Sequence, residues 1–400
     1  MDNGTPPRRP LQQQHPNPAS GRPNRNRNEK RSSLLPRNML KSIVDGAKKL
    51  ALGGQGQGQG AAPATVLFPK VDPAVDGEDC LRDCDSCPTH YPRNFKVDET
   101  DDLYGQIKGW STHVLVATGK ADWVRDVADE KGSVMQAIDR AAEKPSNGKL
   151  MLSASNIPTP HHTNDYSEPT TVLLLPALTI IENVTPANVP DLITQYINKS
   201  PTNVDPISTT ANTTIPEPLP PPAADHPEPA AKLAALTSRP SPHSALILLC
   251  SQGTRDARCG QSAPLLRKEL ERHLRPLGLY RDLDDERPGG VAIYFISHVG
   301  GHKYSANVMI YRRPDAFGLD DDGVKGGEGE GQAAKKPIRK DPTLEGGEGH
   351  LGAAQCIWLG RVRPEDIEGL VKYEVLRGKV RKPESQLRGG FDRSKGLLSW

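Results

Sequence analysis

The 400-residue chain is poor in the features that mark the commoner functional classes. Aromatic residues make up 4% of it and hydrophobic residues 35%, too little for one apolar core spread over the whole length. No run approaches the roughly 18 apolar residues of a membrane span. The N-terminus lacks the apolar stretch of a secretory signal. Charges nearly cancel, 51 Lys and Arg against 49 Asp and Glu, so a dominant role on nucleic acid, which needs a basic face, is not expected. Six cysteines are too few for a secreted disulfide scaffold, and their clustering suits metal or redox chemistry in a reducing compartment. What is plentiful is Pro (38) and Gly (37), which predicts cores separated by long unfolded pieces.

The pattern divides the chain into five parts. Residues 1–65 read as a disordered basic tail. Within it Met39, Leu40, Ile43, Val44, Ala47 and Leu50 share one helical face, and the Arg-rich, acid-poor flanks leave a mitochondrial presequence as the alternative to a solvated tail. Residues 66–200 read as an α/β unit of strand, helix, strand, strand, helix, with strands at 113–118, 149–153 and 171–175. Residues 201–240 are a Pro-rich linker of extended geometry. Residues 241–380 repeat much of the order, with strands at 246–249, 291–296, 307–311 and 356–360 and helices at 263–274 and 364–376. The Gly- and Glu-rich piece 315–349 interrupts this second unit as a disordered insertion. Residues 381–400 read as a C-terminal tail.

Chemistry-bearing residues concentrate in the second unit. The apolar run Ala245–Leu249 delivers Cys250, and a polar loop leads on to Cys259. The run Val291–Ile296 delivers His298, and Val299-Gly300-Gly301 separates it from His302. Ends of buried strands are where α/β folds place their chemistry. Two thiols and two imidazoles suit zinc and an iron–sulfur centre alike, with buried Cys and satisfied His as the third option. The C-x8-C spacing is longer than the usual zinc spacing.

The segments Cys-Ser-Gln-Gly-Thr-Arg-Asp-Ala-Arg-Cys-Gly (250–260) and Ser-His-Val-Gly-Gly-His-Lys-Tyr-Ser-Ala-Asn (297–307) resemble the two signature segments of the sucrase/ferredoxin-like family. The resemblance covers most of 66–200 and 240–395. It implies two thioredoxin-like lobes, the second a thioredoxin-like ferredoxin domain holding a [2Fe–2S] cluster through Cys250, Cys259, His298 and His302. On that reading the chain is a redox or electron-transfer protein with an unknown redox partner. Mixed ligation raises the cluster potential, because imidazole lacks the negative charge of thiolate. Arg255 and Arg258 are expected near the sulfurs. The sucrase part of the family name finds no support, since no pair of opposed carboxylates stands out.

Other cysteines leave readings open. Cys80-x3-Cys84-x2-Cys87 has the spacing of a radical-SAM motif without the barrel, and Cys84–Cys87 that of a dithiol, in acidic, loop-like surroundings. A thiol–disulfide oxidoreductase, an accessory metal site and plain free thiols all remain, as does a zinc-stabilised interaction module. Cys356 reads as core, and His161-His162 as solvated surface. The last three residues, Leu398-Ser399-Trp400, resemble the terminal tripeptide by which the cytosolic iron–sulfur assembly machinery recognises clients. This favours the cytoplasm over mitochondria, with a Trp400 packed on its own domain as the competing expectation.

Overall fold

The computed structural model describes residues 61–207, 235–320 and 351–400. The presequence helix, most of the linker and most of the insertion lie outside these.

The second half shows most directly how sequence becomes sheet. Strand β6 (Ala245–Cys250) is buried along its whole length, which its unbroken apolar run requires. Ala245, Ile247 and Leu249 point to one face, where helix α2 (Ala257–Leu274) covers them with Leu266, Leu270 and Leu274; Leu246 and Leu248 point to the other. β6 lies between β8 (Val291–Ile296), parallel to it, and β9 (Val308–Arg312), antiparallel. β10 (Gln355–Leu359) pairs antiparallel with β9. The helical run 364–375 packs on the α2 face.

The first half has the same pairing order. β1 (Thr112–Ala117) lies between the parallel β2 (Leu150–Ser155) and the antiparallel β3 (Thr170–Leu175), and β4 (Thr179–Val184) pairs with β3. Helix α1 (Val134–Arg140) and the helical run 186–197 cover one face. Ser133 caps α1, its hydroxyl accepting from the Gln136 N–H at 3.1 Å. The short strands β5 (Thr237–Pro240) and β7 (Tyr280–Arg281) pair with β4 and β8.

The two halves expected to be joined by a Pro-rich linker also meet directly. The strands of the described residues form one twelve-stranded mixed sheet, in which β2 and β8 pair antiparallel at Ser155 and Ile296. Side-chain hydrogen bonds reinforce the seam. Asn156 Oδ1 accepts from the Phe295 N–H at 2.7 Å, and the Ala154 N–H donates to Ser297 Oγ at 3.1 Å. The helix-free face is a shared core that draws Leu115, Leu173 and Leu175 from the first half and Leu246, Leu248 and Trp358 from the second. Across it the buried His113 bonds Tyr311 of β9 and Ser153 of β2, both at 3.0 Å. Burial lowers its pKa to about 3, so the imidazole is neutral.

The segment 381–400 is not a free tail either. It supplies β11 (Leu387–Asp392), paired with β10, and β12 (Leu397–Leu398), paired with β11. The Trp400 indole stacks on the buried Trp110, ring centroids 4.3 Å apart. Among the described residues no helix is long and apolar enough to cross a membrane.

Candidate metal centre

The sheet brings three of the four expected donors together. Cys250 ends β6 and is fully buried. Cys259 lies in the first turn of α2, which starts at Ala257 rather than at Ala263: Asp256 caps it, its carboxylate accepting from the Arg258 N–H at 3.0 Å. His298 follows β8, so the parallel β6–β8 pairing delivers it beside Cys250. The sulfur lies 3.9 Å from its Nδ1. Donor atoms of Cys250, Cys259 and His298 all fall within 4.8 Å of one another. His302 is outside that group. It is exposed and opens a one-turn 3-10 helix, its ring centroid 5.3 Å from that of His298. Between the two imidazoles Gly300 and Gly301 have φ of 87° and 66°, the left-handed region that glycine enters without strain. A Cβ at Gly301 would also collide with the Arg388 guanidinium.

The two sulfurs behave as a pair. A hydrogen bond from Cys250 brings the Cys259 thiol down to about 5, and the same bond, with burial, pushes Cys250 well up. Ser305 Oγ lies 3.4 Å from the Cys259 sulfur.

Arg258 lies close enough to Cys259 for their charges to interact, although it also pairs with Asp256 at 2.8 Å, and Arg255 donates to the Arg125 carbonyl at 3.2 Å. The buried cation is Arg388 of β11. It donates to Asn307 Oδ1 (2.5 Å), the Gly300 carbonyl (3.1 Å) and the Gln106 carbonyl (2.9 Å) and lies over the Trp358 ring. Burial lowers its pKa to about 10, which leaves it charged at neutral pH. Gln252 ties the loop after β6 to the first half: its amide donates to the Val124 carbonyl at 2.5 Å and its oxygen accepts from the His298 N–H at 2.8 Å. Gln252 and Asn307 stood in the quoted signature segments; Arg388 carried no signal, since Arg-Gly-Gly reads as loop.

A cavity of about 580 Å³ opens beside the His298 imidazole, lined also by Arg255, Arg388, Trp110, Lys108 and Lys149. Elsewhere, Cys356 is core, its thiol pushed far up by burial, and His161 and His162 are exposed. The loop bearing Cys84 and Cys87 lies against the far end of α2, where the Arg272 guanidinium reaches the Cys84 sulfur at 3.6 Å.

No solved structure matches the chain. Actin patches distal protein 1 of Saccharomyces cerevisiae is 30% identical over 330 residues, 78% of this chain and 84% of the relative. Altered inheritance of mitochondria protein 32 of Clavispora lusitaniae is 28% identical over 140 residues, 35% of this chain and 33% of the relative. The same-named protein of Meyerozyma guilliermondii is 27% identical over 135 residues, 34% of this chain and 31% of its own. Residues 103–389 match the family model described as sucrase/ferredoxin-like, a stretch that holds all four candidate donors and the seam between the halves, and the chain belongs to that family.

Proposed function

We propose that the chain is an electron carrier that binds one [2Fe–2S] cluster through Cys250, Cys259, His298 and His302. The observation that carries this is the convergence of two thiols and an imidazole within 4.8 Å, from three separate segments, with a second imidazole one glycine turn away. Two irons need four ligands, and this donor set fits: thiolates are the usual cluster ligands, and two imidazoles can replace two of them on one iron. When bound, such a cluster takes up and releases single electrons. The protein's own residues set the conditions. Burial of both sulfurs keeps water from the thiolate side. The Arg388 charge nearby favours the more negative, reduced form. His298 and His302 face outward, so the second nitrogen of each ring can exchange protons as the electron comes and goes. On this reading the two halves are thioredoxin-like lobes, supported by their shared pairing order.

A second reading is structural zinc, favoured because only three of the four donors, Cys250, Cys259 and His298, close within 4.8 Å of one another. Metal analysis separates the two. Anaerobically purified protein should carry roughly two irons and two acid-labile sulfides per chain, and Cys250→Ser and His302→Ala should lose them. Stoichiometric zinc without sulfide, in cells supplied with iron, would overturn the cluster.

A further inference from the structure

The N-terminal cysteines are not used by that function. Cys80 is buried against Val71 and Tyr373. Cys84, by contrast, faces a second set of donors. Its sulfur, an imidazole nitrogen of His273 and a carboxylate oxygen of Glu368 all lie within 4.8 Å of one another. They come from three places: a loop fixed by the Cys84 N–H donating to the Glu365 carbonyl at 2.9 Å, the last turn of α2, and the helical run 364–375.

One buried atom of this set lacks a partner. His273 Nε2 has no hydrogen-bond partner among the described residues. A polar atom buried without a partner is costly, and an unplaced ion is one of the few things that explain it. Burial, with the Arg272 charge beside it, holds the His273 imidazole below its ordinary range and so in the neutral, ligating form. The Arg272 guanidinium lies 3.6 Å from the Cys84 sulfur. One thiolate and one carboxylate balance the charge of a divalent ion.

We propose that Cys84, His273 and Glu368 form a zinc site distinct from the cluster. Thiolate, imidazole and carboxylate are all zinc ligands, and three protein ligands are a set that zinc accepts. The ion would pin the N-terminal loop to one end of α2, while Cys259 stands at the other end, about 21 Å away along the helix.

The test uses the full chain from cells supplied with iron and zinc. The wild type should carry about one zinc per chain in addition to its iron. Cys84→Ser and His273→Ala should lose the zinc and keep iron and sulfide, whereas Cys250→Ser should keep the zinc. Retained iron and sulfide serve as the check on folding. Should a variant lose both metals, cobalt(II) added to zinc-free wild-type protein decides: a thiolate-to-cobalt absorption band, protected from alkylation of Cys84, supports the site. Absence of that band, zinc retained in both variants, or Cys84 alkylated in the purified protein as fast as a free thiol overturns it. The last result marks Cys84 as a reactive thiol held by Arg272. Zinc that depends on Cys84 in protein without sulfide would sink the cluster and leave this site standing.

Discussion

At the scale of single residues, chemistry was legible where a strand end and an uncommon donor coincide, as at Cys250 and His298. It was hidden where a residue acts through its fold. Arg388 is the clearest case: only the β10–β11 pairing shows that its guanidinium is buried beside the thiol pair. Arg388→Met should cost roughly 2–4 kcal/mol, because the carbonyls of Gly300 and Gln106 and the amide of Asn307 each lose a charged donor. It should also lower the reduction potential of the cluster, measurable by redox titration; an unchanged potential would show that the charge does not reach the site. His302→Cys should keep a cluster but lower its potential, since thiolate adds a negative charge, and should flatten the dependence of potential on pH, since a titratable ring nitrogen is gone. An unaltered potential–pH curve would remove His302 from the ligands.

At the scale of elements, patterning found the buried strands and missed others. β6 and β8 announce themselves by unbroken apolar runs. The start of α2 was concealed by Pro264, which suggests a boundary although the helix runs through it. β11, with Gly389 and Gly390 beside Arg388, reads as loop, yet every residue of it is buried. The helical run 364–375 carries a prediction of its own. Glu374 is buried with one oxygen unpartnered, and burial raises its pKa to about 8. An acid whose folded pKa exceeds its unfolded value stabilises the fold below the unfolded value, and that contribution is lost as pH rises through the folded one. Stability should therefore fall between about pH 4.5 and 8. Glu374→Gln should flatten that fall in a series of thermal melts. If the variant and the parent run parallel across the range, Glu374 is not the titrating group.

At the scale of the molecule, local order was readable and the way the halves meet was not. Both halves show their strand–helix–strand pattern in the sequence, but a seam of one strand pair and a few side-chain hydrogen bonds leaves no periodicity. The shared core predicts one cooperative unfolding transition in denaturant, followed by fluorescence of the buried Trp110 and Trp358 and by circular dichroism. Two separated transitions would show that the halves fold independently. Asn156→Ala, which leaves the buried Phe295 N–H unpaired, should cost about 1–3 kcal/mol without splitting the transition.

The direction of the strands at the seam has a further consequence. β2 and β8 run toward each other and overlap only at their last residues, so the loops that follow β1 and β6 meet face to face. Asp122 accepts from the Thr254 N–H at 3.1 Å, and the Ala121 carbonyl accepts from the Ser251 hydroxyl at 2.7 Å. One half thus roofs the loop of the other that bears Cys250 and Cys259. As two chains, the halves would meet only as often as their concentrations allow. Within one chain each half faces the other at an effective concentration in the millimolar range, fixed by covalent connection and independent of expression level. A socket made of two parts therefore closes within one chain, the tether adding to what the shared core supplies.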